Sequence, residues 1–140
     1  VAAPAPAACA TRATTPPAIP RYGRSMAGRG QELARVVVDE YDGDATRIWT
    51  APGADGEPTG AEVLARLRAL PGFGDQKARI FLALLGKQRG VRPAGWREAA
   101  GHYGDEGSRR SIADVTSPES LAEVRTFKKA QKAAAKAAKG

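Results

Sequence analysis

Cysteine is almost missing from this chain. Cys9 is the only one among 140 residues, and one thiol builds neither a disulfide framework nor a zinc site nor an iron–sulfur cluster. Histidine is as scarce, with His102 alone. A single histidine without a partner reads as structural or exposed before it reads as catalytic. No metal and no cofactor is expected. Aromatic residues make up 6% of the chain, so Trp49 and Trp96 read as core anchors, with stacking on bases as the competing use. Long apolar runs are absent too: nothing approaches the ~20 residues of a membrane-spanning helix. Residues 1–10 lack the basic start and the Leu/Val run of a secretory signal. A membrane partner is therefore not expected, and a reducing cytoplasm is the expected compartment. A chain that begins with Val is expected to be a fragment or to use an alternative start codon.

Positive charge is what the sequence does have. The formal net charge is +7 and the pI about 10.0. Basic domains attract polyanions and bind nucleic acid by releasing its counterions, although a basic surface also simply aids solubility. The length fits one domain. Residues 1–20 are mostly Ala, Pro and Thr; they bury too little apolar surface to offset ordering entropy and are expected to be disordered. Residues 21–127 carry the folded domain, and 128–140 form a basic Lys/Ala tail.

Helical periodicity dominates the middle of the chain, and no convincing strand alternation occurs, so the fold class is all-α. Residues 25–41 show an apolar face of Met26, Leu33, Val36, Val37 and Tyr41, with Ser25 as the cap. Asp42-Gly43-Asp44 ends that helix, and Asp44 caps a short one through Trp49. Residues 50–58 form a loop. Thr59 and Glu62 have the spacing of a capping box, and Val63, Leu64 and Leu67 line a helix ending near Ala69. A second helix, capped by Asp75, runs to about Gln88 and is apolar around most of its circumference, which marks it as buried. Residues 89–117 are irregular, anchored by Trp96 and Tyr103, with a short helix near 97–102. Ser117-Pro118 is a strong helix start, and Leu121, Val124 and Phe127 dock the helix that it opens.

Between the helices of the 59–88 hairpin lies Leu70-Pro71-Gly72-Phe73-Gly74. Gly72 and Gly74 permit backbone conformations closed to other residues and leave no side chain between the amides and an approaching phosphate. Phe73 can turn inward and pin the loop, and the positive end of the second helix faces the phosphate. Lys77 adds a charge contact, with Arg79 a second candidate. Contacts of this type position a protein on DNA without reading bases. Asp75 opposes them by placing a negative charge beside the phosphate. The competing reading is a generic Gly-rich connection between packed helices. In the tail, Lys129, Lys132, Lys136 and Lys139 fall along one stripe of a helix; they suit phosphate contact, or a solvated terminal helix.

These residues resemble a known family. The turn, continuing through Lys77-Ala78 into an apolar helix, is similar to that of the helix–hairpin–helix–GPD superfamily of base-excision DNA glycosylases. From about Arg21 onward the chain looks like the C-terminal part of an actinobacterial branch of HhH-GPD-type base excision DNA repair proteins. The pieces that carry this are Arg21-Tyr22 with Ser25-Met26, Tyr41-Asp42-Gly43-Asp44, Phe81 through Gln88, Gly95 through Ala100, and the Lys/Ala tail. The resemblance implies an all-α fold whose hairpin grips double-stranded DNA beside a flipped base. It also implies a lysine two residues after the second hairpin glycine and an aspartate beyond the second helix. Here those positions hold Gln76 and Ala94. Lys77 is one residue late, which turns it by about 100° on a helix. No catalytic residue is assigned.

Three readings stay open from the sequence: a DNA-binding relative of the glycosylases, an active monofunctional glycosylase with an unrecognised carboxylate, and a non-enzymatic helical module that docks a protein. The first gives the expectation of a monomeric, nucleoid-associated protein on duplex DNA, with Gly72, Phe73, Gly74, Lys77, Arg79, Lys129, Lys132 and Lys136 as its contacts.

Overall fold

A computed structural model describes residues 12–15 and 22–140. Apart from a turn at 12–15, the expectation of disorder over 1–20 lies outside the described residues. The chain divides into two compact units, one of residues up to 48 together with 69–72, the other of 49–68 and 73–140. Among the described residues there are helices and turns but no strand; the one β-type pairing is an isolated bridge between Gly53 and Gly56. The helical fold class expected from periodicity is what forms.

The first unit is built on α1, Gly23–Tyr41. It begins earlier than the sequence implies, because Tyr22 takes a left-handed conformation (φ 59°) and becomes the N-cap residue, so Ser25 lies inside the helix and caps nothing. Its end matches expectation. Asp42 and Gly43 both have positive φ, and both amides turn back to donate to the Val37 carbonyl. The expected apolar face is only partly covered: Leu33, Val36, Val37 and Tyr41 are half-buried and Met26 is exposed. After it, Asp44 accepts from the Thr46 amide (3.0 Å) and hydroxyl (2.6 Å), which opens the short α2, Arg47–Thr50. The Thr46 hydroxyl bond is the main reason the Asp44 carboxyl is held below its ordinary value.

The second unit centres on α3 (Gly60–Arg68), α4 (Asp75–Gln88) and α5 (Trp96–Ala100). Val63 and Leu67 from α3 and Ala78, Leu82 and Ala83 from α4 are fully buried. Half of the expected capping box is made, since the Glu62 amide donates to Thr59 Oγ1 at 3.2 Å. The Gly-rich loop before α3 is fastened by Arg66, whose guanidinium donates to the carbonyls of Ala51 and Pro52.

Trp96 is the wedge between these helices. A Cβ on Gly60 would stand 2.7 Å from its backbone, and one on Gly86 would stand 2.5 Å from its indole ring. Neither glycine has a positive φ, so both are required by packing rather than by backbone conformation. Gly86→Ala is expected to cost about 1–3 kcal/mol through overpacking, read as a lower urea midpoint with an unchanged m-value.

Past α5 come two 3-10 turns, Gly101–Gly104 and Ile112–Asp114, and then α6, Pro118–Lys139. Ser117 caps α6 as its sequence requires, accepting from the Ser120 amide at 3.1 Å, with Pro118 at the first helical position. Ser117→Ala is expected to cost about 1 kcal/mol, seen as a lower melting temperature. Val124 is buried, while every residue from Lys128 onward is exposed. The basic tail is therefore the solvent-facing continuation of a docked helix.

Candidate nucleic-acid interface

The hairpin turn forms as its sequence implies. Gly72 has φ +79°, a region that L side chains rarely adopt. Phe73 is half-buried and meets the Phe81 ring edge-on, with centroids 6.0 Å apart, and Trp49 packs on the same ring. Around Gly74 a Cβ would meet nothing within 4 Å, so the approach to the start of α4 is open.

Asp75 does not play its expected part. Gly74, in an extended conformation, is the N-cap residue, and Asp75 is the first residue of α4. Its carboxylate pairs with Arg79 Nε at 2.9 Å and with Arg68. The Arg79 bond, with help from Arg68, holds the Asp75 carboxyl below its ordinary value. One acid shared by two arginines leaves this cluster positive overall, which removes the repulsion that Asp75 would otherwise exert. The arrangement also occupies Arg79, whose Nη1 donates to the Ala99 carbonyl at 2.7 Å. Arg79 is thus mainly a brace between α4 and α5. Lys77 is exposed, with its ammonium 5.6 Å from the Phe73 ring centroid.

A concavity lies on the second unit, lined by residues of α4, α6 and the 101–104 turn. It is an open groove of about 890 Å3. Five cations line it: Arg110, Arg125, Lys128, Lys129 and Lys132. Ile80, Tyr103 and Phe127 supply apolar and aromatic surface, and Gln76 and His102 complete its polar edge. Among the described residues, no Asp or Glu lines it. Like charges on a low-dielectric concave wall focus the field and raise the local concentration of anions.

A buried ion pair holds part of this groove in place. Lys87 Nζ donates to Asp114 Oδ1 at 2.5 Å and to Ser108 Oγ at 3.0 Å, with the two charged side chains only 13% and 2% exposed. Asp114 also accepts from the Arg110 amide at 2.8 Å. The next residue of α4, Gln88, donates to the carbonyls of Ile112 and Ala113. From the other side, Arg109 pairs with Glu123 of α6 at 2.6 Å. The loop around Arg110 is thereby tied to both α4 and α6, and its guanidinium rests over the Phe127 ring, 4.9 Å from the centroid.

No family model, no curated protein and no solved structure matches this chain. What the site can do follows from its own geometry.

That geometry divides the residues expected from the sequence. Lys129 and Lys132 line the groove, whereas Lys136 lies farther along the exposed part of α6. Gly72, Phe73, Gly74 and Lys77 belong to the turn and the first turn of α4 rather than to the groove wall. Gln76 joins the two regions, because it sits in the first turn of α4 and also lines the groove. Arg110 is not legible from the sequence as a site residue. Its place depends on the Lys87–Asp114 pair, which joins residues 27 positions apart and leaves no local pattern. His102 is 83% exposed, with Asp105 3.8 Å away. Ala94 uses only its backbone, its carbonyl accepting from the Gly60 amide at 2.7 Å. Among the described residues, no cluster of His, Cys, Asp and Glu could hold a metal ion, and no helix is long and apolar enough to cross a membrane.

Proposed function

We propose that this chain binds the backbone of double-stranded DNA, as a relative of the helix–hairpin–helix base-excision glycosylases. The observation that carries the reading is the groove lining of Arg110, Arg125, Lys128, Lys129 and Lys132, unaccompanied by any acid among the described residues and reaching the first turn of α4 at Gln76. The amino end of a helix attracts phosphate, and the lysines of α6 extend the same field. Neutralisation of Asp75 by Arg68 and Arg79 supports the reading further.

Catalysis is outside the proposal. Gln76 stands where the resemblance implies a nucleophilic lysine, and its amide is neither nucleophile nor base at neutral pH. Ala94 cannot stabilise a cationic sugar, and the groove offers no carboxylate to replace the missing aspartate. Such a protein would ride the nucleoid by backbone contacts, positioned by phosphates and indifferent to base sequence.

The test is fluorescence anisotropy with labelled duplexes of unrelated sequence at low salt. Binding with similar affinity to each duplex is expected. No binding, or binding to one sequence only, overturns the proposal. Capture of a protein partner that survives nuclease treatment would favour the protein-docking reading in its place.

A further inference from the structure

The groove contains more than a phosphate track requires. Bare phosphate contacts need cations and amides, yet this groove also presents Tyr103, Phe127 and Ile80 beside its cations. Both aromatic side chains are partly exposed. The Arg110 guanidinium, stacked over Phe127, adds a planar cation of the kind on which bases also stack. A regular duplex keeps its bases paired inside and offers such a surface only phosphates and sugars. A strand with unpaired bases offers both a π-face and a phosphate at each nucleotide, and cationic grooves with aromatic platforms are how proteins hold it.

From this combination we infer that the groove is a binding site for single-stranded nucleic acid. Unpaired bases lie against Tyr103, Phe127 and the Arg110 guanidinium, and the phosphates track along Lys128, Lys129 and Lys132. This rests on the reading of the surface as a nucleic-acid interface, and it names the strand form that the groove takes. A duplex with a single-stranded gap or overhang would then engage the cationic surface and the groove together.

The experiment measures anisotropy of labelled oligothymidylate of about ten nucleotides, a length within the span of one such groove, beside a duplex of equal length. The variants are Tyr103→Leu and Phe127→Leu, which keep apolar bulk while removing the ring; circular dichroism and a thermal melt establish that each is folded. The single strand is expected to bind at least as tightly as the duplex. Each ring removal is expected to weaken single-strand binding on the order of 10-fold, as loss of a stacking platform does, and to weaken duplex binding by clearly less. Duplex binding without single-strand binding overturns the inference and leaves the proposed function standing. So does an equal loss for both forms in the ring variants. Absence of binding to either form by the unmodified protein removes the two together. Competition by a polyglutamate peptide as strong as by the unlabelled oligonucleotide also overturns it, because the site would then recognise negative charge alone.

Discussion

Replacing Lys87 with methionine is expected to lower the unfolding free energy by about 3–5 kcal/mol, the usual cost of leaving one member of a buried ion pair without its partner. Asp114 would keep its amide contacts but lose the charge that compensates its burial. The effect is distinguishable from simple loss of packing. Methionine retains most of the lysine stem, and combining Lys87→Met with Asp114→Asn is expected to cost less than the sum of the two, since no buried charge is then stranded. A chemical-denaturation double-mutant cycle measures this.

The same pair sets a pH dependence. Burial by itself raises the Asp114 carboxyl, but the bonds from Lys87 and from the Arg110 amide outweigh it, so it lies below its ordinary value of 3.8. A carboxylate whose folded value is below its unfolded one contributes its full stability above the unfolded value, and that contribution is lost as pH falls through the folded value. The stabilisation is therefore complete at neutral pH and declines only below about pH 4. In Lys87→Met the hydrogen bond and the charge of Lys87 are gone, so the Asp114 carboxyl lies higher than in the unmodified protein. The penalty of the substitution is expected to be largest near pH 7 and to shrink as Asp114 takes up a proton. A penalty that stays constant from pH 7 to about pH 3 would show that the charge of Asp114 is not the cause.

The second large effect concerns binding. Lys128→Ala, Lys129→Ala and Lys132→Ala together are expected to weaken duplex affinity on the order of 10- to 100-fold at low salt, and to make the slope of log K against log salt shallower by about 0.9 for each phosphate contact removed. All three side chains are exposed on α6, and alanine is the best helix former, so helical content should not fall. Asp75 gives the opposite lever. Asp75→Asn would release the charges of Arg68 and Arg79, so binding should strengthen. Stability should change little, because these ion pairs are largely exposed.

Much of the fold is legible in the sequence because its signals are local. Ser117-Pro118, the Asp42-Gly43 stop and the dense apolar run of α4 each state their structure within a few residues. The start of α1 is not legible, because the left-handed Tyr22, which has no turn-forming side chain to announce it, moves the cap three residues forward. Asp75 misleads for a different reason: a capping aspartate and one paired with Arg68 and Arg79 look alike in sequence, and only the fold brings Arg68 to it. The site is legible in halves. The lysine stripe and the hairpin turn are visible, but the groove depends on Arg110, Tyr103 and Phe127 converging from separate segments. The Lys87–Asp114 pair that helps assemble it spans the irregular region where periodicity carries no information.

The most direct test of the account is a map of where DNA touches the chain. Backbone amide chemical shifts of isotope-labelled protein, monitored while an unlabelled duplex is added, should move at Gln76 and Lys77, around His102 and Tyr103, at Arg110, and from Arg125 to Lys132. The same shifts should return toward their starting positions as salt is raised. Perturbations confined to α1, or none at any concentration that keeps the protein folded, would contradict the assignment of this groove as the nucleic-acid interface.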